Sequence, residues 1–351
     1  MIAFTVCSNN YLAEALTLGD SLEASGFPAG NYRIFLADEL MEGIDYADLK
    51  YRVTKVNDDM VPGFSRLTQY YDIIELCTSV KPSLFKYLLR EHRSEQVFSY
   101  FDPDLYFFGN AERIVAELND SSILLTPHVT RPVALQKQPF ENVFLNFGIY
   151  NLGFLTLRAD DNAGQMLDWW EERTLNLGVI DVQNGYFVDQ LWMNLAPLFF
   201  SGVKVSPHLG FNAAHWNLNE RTIKGVNGRY TVNNCFDLLF FHFSSFDFSP
   251  GRLSKRAYTS PAENDPALNE MALLYKNRLT ANNYHFFKKI KPAYRVSFDN
   301  YIAKAFPQGV NTNSITVARK LRKFPGQLLR KLSNLNYMIE IVKKYYSSPG
   351  N

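Results

Sequence analysis

Between residues 2 and about 250 the chain alternates short runs of β-forming residues with stretches of helical periodicity, and this alternation constrains the fold most. Residues 2–7 (Ile-Ala-Phe-Thr-Val-Cys) form the first such run. A polar turn follows, and then Leu12, Ala15, Leu16, Leu18 and Leu22 recur at helical spacing. Gly26 ends that helix, and residues 32–37 begin a second strand. Strand, helix and strand in this order predict a βαβ unit, with parallel pairing and a right-handed crossover. Further helices are predicted over 83–90, around 166–172 and over 189–196, and further strands over 97–101, 123–126, 153–157 and 238–243. The expected fold class is α/β, a mostly parallel central sheet flanked by helices. The sheet domain is placed at residues 1–260. Beyond it the β runs cease, and 267–279 and 298–306 read as short helices. Residues 261–312 are thus expected as a helical extension packed on the domain, and 313–351 as a basic amphipathic tail.

Composition narrows the function classes. Of 351 residues, 46% are hydrophobic and 20% charged, which supports a packed core and excludes global disorder. A net charge of +1 argues against a generally basic nucleic-acid binder. Charge is unevenly placed, however: residues 314–346 hold eight lysines and arginines against a single acid, Glu340. Beside them runs an apolar stripe of Leu321, Phe324, Leu328, Leu329, Leu332, Leu335 and Ile339. That pattern fits a solvated helix packed on the domain, or a surface segment lying on anionic lipid. Cys7, Cys77 and Cys235 are far apart without a CxxC pair, which predicts free thiols in a reducing compartment. The apolar start is short and lacks a basic flank, so it reads as a first strand and not a signal peptide. No stretch approaches the ~18 apolar residues of a membrane span. A cytoplasmic protein is expected, peripheral on the inner membrane face if the tail binds lipid.

Chemistry concentrates at Asp102-Pro103-Asp104, which leaves the apolar run 97–101. Two carboxylates at the carboxyl end of a strand occupy the place where open α/β sheets bind ligands. Hard divalent cations take carboxylate oxygens and complete their shell with substrate phosphates. Asp-Pro-Asp is equally ordinary turn chemistry, so neighbouring motifs must decide. His242 closes another apolar run and offers a third ligand. Asn151-Leu152-Gly153 places an amide and a glycine at the start of a strand, suiting close approach of a ligand to backbone. Asp189-Gln190, with Trp192 and Asn194 following, serves a sugar or simply caps a helix.

Taken in order, these segments resemble the GT-A glycosyltransferases, and more narrowly the retaining family 8 type, over roughly residues 1–250. Thr5-Val6-Cys7-Ser8-Asn9-Asn10-Tyr11 is similar to the stretch holding the nucleotide base and ribose. Lys81 resembles a basic residue that meets the donor or the metal-binding acids. Asp102-Pro103-Asp104 looks like the DxD motif, Tyr150–Phe154 like the strand lining the sugar pocket, and Asp189-Gln190 like the pair beside the reacting carbon. His242 looks like the late metal-binding histidine. The resemblance implies Mn2+ or Mg2+ on Asp102, Asp104 and His242, and a nucleotide-diphosphate sugar, UDP-sugar favoured, as donor. It implies donor contacts from Thr5, Ser8, Asn9, Tyr11, Lys81, Asn151, Gly153 and Asn194, with Asp189 and Gln190 as catalytic residues. It departs after His242, where Ser244-Ser245-Phe246-Asp247 replace the family's Gly and Lys-Pro-Trp. Lys255 is the next lysine and becomes a candidate for the diphosphate. Residues 211–218 (Phe-Asn-Ala-Ala-His-Trp-Asn-Leu) resemble enzymes of bacterial surface-polysaccharide assembly, with a glycan or lipid-linked acceptor. Two rivals remain open on sequence: a carbohydrate-binding protein without chemistry, and a sugar nucleotidyltransferase, although Cys7–Leu12 lacks the Gly-rich loop that the latter requires.

Overall fold

A computed structural model describes residues 1–249, 252–256 and 265–295. Strand β1 (Ile2–Cys7) runs into helix α1 (Leu12–Ala24), which returns to β2 (Tyr32–Leu36) and then β3 (Arg52–Lys55). Helix α2 (Lys81–Glu91) leads into β4 (Val97–Phe101), followed by β5 (Leu105–Phe107), β6 (Ile123–Leu125) and β7 (Phe154–Arg158). Helix α3 (Asp161–Leu177) precedes β8 (Val203–Val205), β9 (Ala213–Ala214) and β10 (Phe240–His242), and helix α4 is Pro266–Ala281. Among the described residues the central sheet has seven strands in the order β8-β6-β7-β4-β1-β2-β3. Its pairings are parallel except at β7, which runs antiparallel to both β4 and β6. The mostly parallel sheet flanked by helices is the α/β architecture that the sequence predicts.

Every residue of β1 is buried, as expected of a central parallel strand covered on both faces. One face packs Phe4 edge-on against Phe85 of α2, with ring centroids 4.7 Å apart. The opposite face packs Ala3 and Cys7 with Leu12 and Leu16 of α1. A small second sheet, β9-β10-β5, stands beside the first. In it β10 pairs antiparallel with β5, so that His242 lies opposite Leu105. Helix α4 and the short helix Tyr284–Phe287 pack on the domain. Asn282 donates to Thr17 Oγ1 (3.0 Å) and Asp20 Oδ2 (2.9 Å) of α1.

Three elements differ from the sequence expectation. Residues 189–195 are not α-helical: Asp189–Leu191 turn, Trp192–Leu195 is a 3-10 turn, and the α-helix begins only at Ala196–Phe199. Val188 is held at φ +40°, a left-handed conformation that a β-branched residue rarely takes, and tertiary bonds to Asp189 and Gln190 hold the turn. Strand β3 and the antiparallel ladder of Ile223–Val226, Arg229–Val232 and Phe236–Asp237 carry too few apolar residues to be predicted. The expected helix over 298–306 and the basic tail over 313–351 lie outside the described residues. No helix among the described residues is long and apolar enough to cross a membrane.

Candidate metal and nucleotide site

The order β2-β1-β4 fixes where a crevice opens. The crossover from β1 leads to β2 on one side, and β4 flanks β1 on the other, so the chain diverges at the carboxyl ends of β1 and β4. Such a switch point leaves a crevice above the sheet. A cleft of about 180 Å³ lies there, walled by Ser8, Asn10, Tyr11, Ile74, Tyr100, Asp102 and Asp104 among others.

Backbone pairing brings the acids and the histidine together. Asp102 N donates to Gly153 O (2.7 Å), extending the β4–β7 ladder by one rung. Leu105 N closes the Asp-Pro-Asp turn on Asp102 O (3.1 Å), and Phe243 N donates to Asp104 O (2.9 Å). The second sheet therefore delivers His242 to the turn. Its Nε2 lies 2.9 Å from Asp104 Oδ1 and 3.7 Å from Asp102 Oδ2. One ligand atom from each residue falls within 4.8 Å of the others. Burial works to lower the His242 pKa, but the carboxylates of Asp104 and Asp102 outweigh it and the value is raised. Burial likewise works to raise Asp104, and His242 outweighs it, so Asp104 is lowered.

The residues present fit a divalent cation. Two carboxylates and an imidazole are a donor set that a divalent cation can take. Gly153 backs onto them so closely that a Cβ there would occupy space held by His242, Asn151 and Asp102.

Lys81 sits behind the acids. Its Nζ is 3.0 Å from Asp189 Oδ2 and 3.5 Å from Asp102 Oδ1, donates to Leu152 O (3.0 Å), and stands 4.3 Å above the Tyr100 ring. Burial lowers its pKa, yet Asp102 and Asp189 more than restore it, so the ammonium form is favoured. Its charge is engaged by two carboxylates. Tyr100, unremarked in the sequence, donates its hydroxyl to Asp102 Oδ1 (2.5 Å).

The remaining expected residues divide by place. Ser8 and Tyr11 wall the cleft. Thr5 is fully buried within β1, and the Asn9 amide is bound to Asp38 Oδ2 and Glu39 O at 2.8 Å each, so both lie in the support of the cleft and not on its lining. Gln190 clasps residues 147–152, accepting from Leu152 N (3.0 Å) and donating to Phe147 O (2.8 Å). Asn194 accepts from Ile149 N (2.8 Å). Asn151 Oδ1 accepts from Gly153 N (3.1 Å). Lys255 is exposed and lines a second cleft of about 200 Å³ that shares Tyr11 and Asp104 with the first. Lys288 lines it too, with Nζ 3.7 Å above the Tyr11 ring and 2.9 Å from Glu14 Oε1. Sequence reasoning missed Lys288 because nothing in the order of residues ties it to Tyr11. It also missed Asn212, whose αL backbone (φ +51°) is invisible in sequence.

No family model matches the chain. The curated relatives include two uncharacterized proteins of Bacillus subtilis (strain 168). YfnF is 28% identical over 181 residues, 52% of this chain and 60% of its own. YfnD is 27% identical over 174 residues, 49% of this chain and 54% of its own. The matched region thus spans less than two thirds of either relative. Among solved structures, the chain is similar to an active-site mutant of LgtC, with a TM-score of 0.45 and 14% identity over 80% of this chain and 96% of that one. It is also similar to the galactosyltransferase LgtC in complex with donor and acceptor sugar analogs (TM-score 0.43, 14% identity, 85% and 100% covered). A third is a glycosyltransferase involved in glycosylation of the major capsid of PBCV-1 (TM-score 0.37, 10% identity, 78% and 100% covered).

Proposed function

We propose that this chain is a metal-dependent glycosyltransferase, moving a sugar with retention from a nucleotide-diphosphate donor, a UDP-sugar for preference, to a glycan or lipid-linked acceptor in surface-polysaccharide assembly. One observation carries the reading: Asp102, Asp104 and His242 converge at the mouth of a cleft at the sheet's switch point. In this reading Tyr11 offers a ring face to the base and Ser8 a hydroxyl to the ribose. Asp102, Asp104 and His242 would hold a divalent cation, which when bound would supply positive charge for the leaving diphosphate. Tyr100 and Lys81 hold Asp102 in place by direct bonds. Gln190 and Asn151 shape the sugar pocket by fixing the backbone of residues 147–153. Asp189, neutralised by Lys81, is the carboxylate proposed beside the reacting carbon. Lys255 and Lys288 bring positive charge to the far side of Asp104, the role left vacant by the missing lysine after His242.

The test is a thermal-shift panel of nucleotide sugars with and without Mn2+, followed by product analysis with the stabilising donor. A donor at one hundred times its Kd stabilises the native state by about 2.7 kcal/mol. Asp104→Ala is expected to stay folded while losing both the Mn2+-dependent stabilisation and transfer, and NMR of the product's anomeric proton reads the stereochemistry. Transfer that persists in excess chelator, or a panel in which no nucleotide sugar stabilises the protein, overturns the proposal.

A further inference from the structure

After α4 the chain runs back along α1 toward the first cleft, and polar bonds mark each step. Asn282 Nδ2 donates to Thr17 Oγ1 and Asp20 Oδ2. Further on, Lys288 Nζ donates to Glu14 Oε1 at 2.9 Å and stands 3.7 Å above the Tyr11 ring. Ala293 N then donates to Asp38 Oδ1 at 2.8 Å. The other oxygen of that carboxylate accepts from Asn9 N (3.1 Å) and Asn9 Nδ2 (2.8 Å). Residues 282–293 thus follow α1 from its middle to its start. They hold the turn after β1 at two points, Tyr11 directly and Asn9 through Asp38.

Burial fixes the place of Lys288. Glu14 is 4% exposed, and a carboxylate so buried requires a partner. Its Oε2 has none among the described residues, so Lys288 at Oε1 is the charge that balances it. Tyr11 caps α1 and Glu14 is the third residue of that helix, a spacing that brings the two side chains to one side. A cation drawn to Glu14 therefore lies over the Tyr11 ring, whose negative π face attracts it. Tyr11 borders both clefts, whereas Lys288 lines the second and not the first. The ammonium bears on the ring from the second cleft, and the ring still walls the first.

We propose that Lys288 is a positioning residue for a nucleoside: anchored by Glu14, it holds the Tyr11 ring in the orientation on which a base stacks. The inference rests on the proposed reading of the first cleft as the nucleotide site. It gives the segment after α4 a task in donor binding, because Tyr11 without that segment loses its support. The role is separate from any charge that Lys288 lends to a diphosphate, and a ligand without phosphates tells the two apart.

The experiment titrates uridine, cytidine, guanosine and thymidine in the presence of chelator, so that neither phosphate nor metal contributes, and reads affinity by ligand-observed NMR. Lys288→Met is expected to weaken the tightest of them by about threefold or more, the order of one cation–π contact. That variant leaves Glu14 buried without its partner, so Glu14→Gln/Lys288→Met, which removes both charges, is measured beside it and is expected to show the same loss. Lys288→Arg keeps a cation that stacks on the ring and is expected to restore affinity to within about twofold. Mn2+ affinity, read by EPR, is expected not to fall in any of the three, which separates an effect on Tyr11 from a general loosening of the site. Urea midpoints of ligand-free protein give a second readout: Lys288→Met is expected to shift the midpoint less when Tyr11 is already replaced by Leu. Unchanged nucleoside affinity in folded Glu14→Gln/Lys288→Met protein overturns the proposal, and a loss confined to nucleoside diphosphates assigns Lys288 to the phosphates instead. If no nucleoside binds wild type, the nucleotide reading of the cleft falls. Support of the ring is then decided by the midpoints, and additive shifts overturn it.

Discussion

Replacing Gly153 by alanine perturbs the proposed metal site most directly. The added Cβ would lie 2.5 Å from His242 Cε1, 2.8 Å from Asn151 Oδ1 and 2.8 Å from Asp102 Oδ2. Carbon atoms in favourable contact stand about 3.5–4.0 Å apart, so the His242 ring must retreat by about 1 Å. The backbone cannot absorb that shift. Gly153 N is bound to Asn151 and Gly153 O to Asp102 N, at 3.1 and 2.7 Å. The ligands therefore move, and metal–ligand distances tolerate only about 0.2 Å. We expect Gly153→Ala to lower Mn2+ affinity at least tenfold, about 1.4 kcal/mol. Overpacking adds a stability cost of about 1–3 kcal/mol. Mn2+ titration by EPR measures the first quantity and urea unfolding of metal-free protein the second. A folded Gly153→Ala protein that binds Mn2+ within twofold of wild type would falsify the geometry on which the site is built.

Two further outcomes follow from buried charge. Lys81→Met leaves Asp102 and Asp189 without the ammonium between them, and Asp189 is almost wholly buried. Removing one partner of such a set costs about 3–5 kcal/mol, so the urea midpoint is expected to fall sharply, and an unchanged midpoint refutes the pairing. His128 is buried, and its pKa is pushed down from 6.5 to about 4, chiefly by that burial. Below its unfolded value the unfolded chain takes up a proton that the folded ring refuses. Stability is therefore expected to fall as pH drops from about 6.5 toward about 4, by on the order of 3 kcal/mol, and to be insensitive to this group above that window. His128→Phe keeps the ring stacked on Phe144 and is expected to abolish this part of the pH slope in unfolding measurements.

The sheet was legible in sequence where burial on both faces produces continuous apolar runs, as in residues 2–7 and 97–101, whose bounds match β1 and β4. It was illegible at β3, where Arg52, Thr54 and Lys55 face partly outward at the sheet's edge. Residues 189–196 misled for a different reason. Leu191, Trp192 and Leu195 have helical spacing, but that spacing serves a turn pinned from outside. Gln190 bonds to residues 147 and 152, and the Trp170 indole donates to Asp189 O at 3.0 Å. Local periodicity contains no information about such partners.

The candidate site shows the same division between what a chain announces and what folding supplies. Asp102 and His242 were visible because each closes an apolar run, and Asp104 because it shares the Asp-Pro-Asp turn with Asp102. Their supports were not visible, since Tyr100 reads as an ordinary strand residue and Asn212 as a loop amide. Yet the supports decide what the ligands can do. Tyr100 and Lys81 both engage Asp102 Oδ1, leaving Oδ2 as the oxygen turned toward His242. Asn212 occupies His242 Nδ1, leaving Nε2 turned toward the same point. Each support blocks one atom of a ligand and thereby selects the other, so the direction of the site is set by residues that are not themselves its ligands.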